Sequence, residues 1–223
     1  MKFARKSRAA REEQAEPDTE VTEDATTESG ADDSTKEPAA AATQGPYDVA
    51  EVDLTDGTDR IDLGGMLVAP APGLELRLQV EEKSGEVQSV LLVGKDGVVE
   101  FRAFAAPRNG DLWSDARQQI AADTARRGGT ATDAEGTFGD ELVCVRPVKT
   151  EDGRTGKQQS RVVGINGPRW MLRATFLGTP VDPAAAGPWE DAIRTVVVRR
   201  GDGPMAPGEA IPLTLPAQAR RKD

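Results

Sequence analysis

Leu74, Leu76, Leu78 and Val80 alternate with Glu75, Arg77, Gln79 and Glu81. That period of two suits an extended strand with one buried and one wet face. Turn signals at short intervals then commit the chain to antiparallel pairing. Glu82-Lys83-Ser84-Gly85 turns into a second strand over 86–93, and Lys95-Asp96-Gly97 carries the Asp-Gly hairpin signal. A third strand is expected over 98–105, ended by Pro107.

A helix follows over about 112–127. Asp111 is its N-cap, Trp113, Ala116, Ile120 and Thr124 or Ala121 line one face, and Gly128-Gly129 supplies the stop. Residues 142–148 and 158–165 read as a long hairpin around Glu151-Asp152-Gly153. Asn166-Gly167 then turns into 170–177, where Trp170, Leu172, Ala174 and Phe176 share one phase. Asp182-Pro183 has the N-cap and N1 chemistry of a second helix, which carries Trp189 and Ile193 and passes into the β-branched run 195–198. Pro204 to Pro216 reads as extended. The order predicts an α+β domain, a mostly antiparallel sheet with two main helices packed on it. It resembles the PsbP-type α/β/α sandwich in the order of its elements.

Apolar residues are unevenly placed. Residues 1–45 hold one aromatic, Phe3, and one aliphatic β-branched residue, Val21. Eleven residues between Glu12 and Ala42 are acidic and one, Lys36, is basic, so this stretch cannot bury enough apolar surface to offset its ordering entropy. The expected organisation is a disordered basic-then-acidic tail (1–45), a connecting arm (46–65), one α+β domain (66–216) and a basic C-terminal end (217–223). The tail accounts for most of the acidity, because the body from residue 46 carries 22 basic against 27 acidic residues.

There is no histidine and a single cysteine, Cys144. An imidazole base, a Ser-His-Asp triad and a zinc site of the Cys/His kind are therefore excluded. One cysteine forms no internal disulfide, which fits a reducing compartment. No apolar run approaches the roughly 20 residues of a membrane-spanning helix. A cytoplasmic protein without membrane insertion is expected, with no cofactor signature.

Other patterns weigh toward plain structure. Gly153-Arg154-Thr155-Gly156-Lys157 looks briefly like a phosphate loop, but only two residues separate its glycines and Gln158 follows the lysine, so it reads as a hairpin turn. Asp53, Asp56, Asp59 and Asp62 recur every third residue, a spacing unlike an EF-hand and typical of Asp in turns. Trp113, Trp170 and Trp189 occupy inward positions and read as core. Cys144, with no basic neighbour in sequence, reads as a buried thiol.

Seven basic residues fall between Arg146 and Arg173. Arg154, Lys157, Arg161, Arg169 and Arg173 are the candidate anion- or partner-binding residues, on a hairpin face that either binds an anion, a nucleic acid or the acidic tail, or is an ordinary wet sheet face. Only Trp170 is interleaved for base stacking, and its phase is inward. Thr22, Thr26 and Thr27, beside acidic residues, are candidate phosphorylation sites in a tail that otherwise solubilises.

Five stretches together resemble an actinobacterial family with a domain of unknown function: Leu74-Glu75-Leu76-Arg77-Leu78, Phe104-Ala105-Ala106-Pro107-Arg108, Gly167-Pro168-Arg169-Trp170-Met171-Leu172-Arg173, Val196-Val197-Val198-Arg199 and Pro204-Met205-Ala206-Pro207. The resemblance spans about residues 46–216. It implies an uncharacterised cytoplasmic protein and assigns no catalytic residue. The expectation is a non-enzymatic module for an unidentified protein partner, with a regulatory acidic tail. The alternative is binding of an anion or nucleic acid through the basic 146–173 hairpin face. No pattern names an oligomeric state.

Overall fold

The hairpin chemistry of residues 74–105 and 139–178 builds two meanders that join side by side into one large sheet, seen in the computed structural model, which describes residues 45–108, 110–149 and 153–216. The acidic tail, with Thr22, Thr26 and Thr27, and the end 217–223 lie outside those residues. Among the described residues the order is β1 (Tyr47–Asp48), β2 (Ile61–Asp62), β3 (Met66–Val68), β4 (Glu75–Val80), β5 (Val87–Val93), β6 (Gly97–Ala105), α1 (Leu112–Arg126), β7 (Thr130–Gly136), β8 (Gly139–Lys149), β9 (Thr155–Asn166), β10 (Trp170–Gly178), α2 (Gly187–Arg194) and β11 (Val197–Val198). A seven-stranded antiparallel sheet runs β4-β5-β6-β10-β9-β8-β7, and a four-stranded one runs β1-β11-β3-β2. This is the α+β class.

One face of the large sheet carries the main core. Val90, Leu92, Val99, Phe101, Trp170, Leu172 and Phe176 pack there against Leu63, Met66 and Val68 of the arm and small sheet, and against Trp189 and Ile193 of α2. The opposite face packs a smaller core under α1, where Trp113 meets Leu142, Cys144, Val162 and Met171. Helix α1 is held by local chemistry. Asp111 accepts from the backbone N–H of Ser114 at its start, and Gly128 adopts φ +75 just past its end, where a side chain would be strained. The Trp113 ring lies on bare backbone, since a Cβ on Gly164 would come within 2.1 Å of it. A glycine inside an apolar strand often marks such a close approach.

One expectation is corrected and two gain detail. The arm docks on the body as well as connecting to it. Its β1 pairs in parallel with β11, its β2 pairs with β3, and Leu63 is fully buried. The second helix does not begin at Asp182. The Asp182 carboxylate caps a 3-10 turn, Pro183–Ala185, and α2 starts at Gly187. Pro188 lacks the N–H that would continue the turn and favours a fresh helix start. Strand β7 is an addition to the expected order, because Thr130–Gly136 offers only Ala131 and Ala134 as apolar residues. Its register with β8, Thr130↔Val145 to Gly136↔Gly139, places it at the sheet edge, where a polar strand is at home.

The extended C-terminal segment is structural too. Isolated bridges join Ala210 to Phe104 and Leu213 to Val87 and Gly64, so the segment ties both sheets together.

A candidate partner-binding face

The five basic residues singled out in the sequence do not share a face. Arg154 and Lys157 are exposed at the β8–β9 hairpin end. Arg169 lies in the turn at the other end of β9, about 40 Å away along a strand rising ~3.3 Å per residue. There it lines a depression of about 470 Å³ together with Arg199, Arg200, Asp48, Glu51 and Asp202. Arginines and carboxylates balance in that hollow, and Arg199 is already committed to Asp62 at 3.0 Å.

Arg161 is a correction. It is 0% exposed, because it shares the phase of Val163 and Ile165 and so points into the main core. Its guanidinium donates to Glu190 Oε1 at 2.8 Å and Glu141 Oε2 at 3.3 Å and lies 4.1 Å from the centre of the Phe176 ring. Both carboxylates are buried. No anion from solvent reaches this arginine; it serves as the counter-ion of two internal carboxylates.

That triad sets a pH dependence. Burial raises the Glu141 pKa above its ordinary value of 4.5, and Glu190 adds to this while Arg161 opposes it. A carboxyl with a raised folded-state pKa lends stability that is complete below the unfolded value and is lost as pH rises through the folded one. Asp111 has the opposite sign, since its hydrogen bonds from Ser114 lower its pKa. The difference between wild type and Glu141→Gln therefore isolates the Glu141 component. Unfolding free energies measured from pH 4 to 7 should show wild type losing ground to Glu141→Gln as pH rises above about 4.5. Parallel curves would contradict the assignment.

Arg173 lies on the other face of the sheet. Register places it directly opposite Arg102 on the neighbouring strand, and both guanidinium groups lie over Phe104, at 5.1 Å for Arg173 and 5.7 Å for Arg102. Neither has a hydrogen bond or ion pair among the described residues, and Arg102 Nε is buried without a partner. Burial, then the charge of Arg102, hold the Arg173 pKa below the ordinary guanidinium value, with Glu100 opposing. Like charges directly opposite on a sheet destabilise it.

This pair belongs to a larger surface. Helix α1 has β7, β8 and β9 as its main neighbours, and no described helix lies over β4, β5 and the adjoining halves of β6 and β10 on this side. Rows of side chains cross the strands there. Val93, Val98 and Leu177 are side by side, then Leu91, Glu100 and Thr175, then Arg102 and Arg173, then Phe104 and Met171. Val93, Val98 and Leu177 are half-buried and belong to neither core. Sequence reasoning finds Arg173 through basic density but misses Arg102 and Phe104. The alternation Arg102-Ala103-Phe104 is the available signal, with polar and aromatic residues in one phase and Ala in the other.

The remaining candidates are spent locally. Asp56 binds Arg60 through both oxygens, at 2.9 and 2.8 Å, Asp53 accepts from Thr55 and Asp62 from Arg199. Among the described residues no group of three or more His, Cys, Asp or Glu is placed to hold a metal. Cys144 is buried beside the Thr124 hydroxyl, 3.8 Å away. No described helix is long and apolar enough to cross a membrane.

No curated protein matches the chain. A family model described as a protein of unknown function, DUF3710, matches residues 45–222, a span that takes in all the described residues. The chain belongs to that family.

Proposed function

We propose that this chain is a non-enzymatic, cytoplasmic protein-interaction module, and that its partner docks on the half of the large sheet that no described helix covers. The observation that carries this reading is the row Val93, Val98 and Leu177, apolar side chains outside both cores, running toward the unpaired arginines Arg102 and Arg173. A matching partner presents apolar side chains beside anionic groups. Contact would remove the row from water, at roughly 25 cal/mol per Å² of apolar surface, and relieve the repulsion between the two guanidinium groups. The absence of histidine, the buried thiol and the binding of both internal carboxylates to Arg161 support a non-catalytic role. The acidic stretch Glu12–Ala42 is then a regulatory segment, its effect strongest at low salt because exposed charges are screened.

The test is recovery of partners from cell extract under mild crosslinking. Full-length wild type is compared with Val98→Glu and with Arg154→Glu/Lys157→Glu, each first shown to melt like wild type. The expected result is a protein recovered with wild type and with the hairpin variant, and reduced at least tenfold with Val98→Glu. Equal recovery by all three would overturn the reading, and so would loss confined to the hairpin variant. Nucleic acid in place of protein would also overturn it, because the apolar row offers a polynucleotide backbone nothing.

A further inference from the structure

We infer that Arg102, Arg173 and Phe104 form a seat for a phosphomonoester dianion. Two guanidinium groups opposite each other on central strands are held by the ladder rather than by flexible loops. Their Cβ atoms are about 4.5–5.5 Å apart, as for any directly opposed pair, a spacing that lets both forks turn toward one oxyanion. Both stack over the same ring. Neither is satisfied by a described carboxylate, and a buried Nε–H on Arg102 has no acceptor. Glu100, the nearest acid in phase, stands opposite Thr175, one row along the strands. A carboxylate would fill one fork bidentately and leave the other charge unbalanced. A phosphomonoester brings three terminal oxygens and a charge of about −1.5 to −2 at pH 7, enough for two forks.

The seat lies within the face assigned above to the partner, and its biological occupant rests on that reading. A phosphothreonine of this chain's own tail, one on the partner and a free phosphate ester all present the same chemistry.

The experiment observes the guanidinium Nε–H resonances of the full-length protein by nitrogen-15 NMR. O-phosphothreonine is titrated at constant ionic strength, with threonine as control. The expected result is saturable shifts at Arg102 and Arg173, severalfold weaker at pH 5 where the ligand carries a single phosphate charge. Binding should weaken at least tenfold in Arg173→Gln, and also in Arg173→Lys, which keeps the charge but loses the fork. Shifts that do not saturate, or that survive both substitutions, would overturn the proposal.

Given that binding, the source is read from full-length protein phosphorylated at the tail threonines. The same resonances moved without added ligand identify the tail; unmoved resonances identify the partner or a free ester. Failure of phosphothreonine to bind while Val98→Glu still abolishes partner recovery removes the seat and leaves the face. Binding with recovery indifferent to Val98→Glu keeps the seat and removes the face.

Discussion

Arg161→Ala should lose about 3–5 kcal/mol of unfolding free energy, the usual cost of breaking a buried ion pair from one side. The loss comes less from missing attraction than from what remains. Glu141 and Glu190, 2% and 6% exposed, would be left facing each other without a counter-ion, and the Phe176 ring would lose the group stacked on it. The triple replacement Arg161→Met, Glu141→Gln, Glu190→Gln should recover much of the loss, because it removes the charges together and keeps the volume. Urea denaturation at pH 7 checks both. A loss below about 1 kcal/mol in Arg161→Ala would mean that water enters the triad and solvates the carboxylates. The triad links β8, β9 and α2, so its integrity bears on how the main core closes over the large sheet.

Trp170→Ala is the second large effect, about 3–5 kcal/mol from lost burial and the cavity left behind. Trp170 is 1% exposed and belongs to the main core. Its indole Nε1–H also donates to Asp48 Oδ2 at 2.7 Å, and the other oxygen of Asp48 accepts from the backbone N–H of Ala50. The tryptophan therefore both fills the core and pins the arm. Trp170→Phe separates the two roles, since it keeps most of the apolar volume and loses the hydrogen bond, at about 1 kcal/mol. Its signature should be faster proteolytic cleavage within residues 49–60 with only that loss, about 1 kcal/mol, in global stability. Equal destabilisation by the two substitutions would contradict the division.

Much of the large sheet and its first helix is legible in the amino-acid sequence alone. The alternation of residues 74–80, the Asp-Gly turn, the Asp111 cap and the Gly128-Gly129 stop are local signals, and the strands and helix they predict are present within a residue or two. The inward phase of Trp113, Trp170 and Trp189 is equally local. These features depend on side-chain periodicity and backbone preference, which act between residues a few positions apart.

What only the tertiary structure decided depends on distant partners. Strands β1 and β11 are two residues each, too short for any period, and they exist because a parallel pairing across most of the chain covers the main core. Strand β7 exists because β8 offered an edge. Arg161 sits in phase with Val163, yet its partners lie 20 and 29 residues away, so no local pattern tells a surface cation from a buried counter-ion. The opposition of Arg102 and Arg173 likewise needs the register of β6 on β10. Composition and spacing set which segments extend and which coil. Register and burial, won against the entropy of closing long loops, decided which charges meet each other and which remain facing outward.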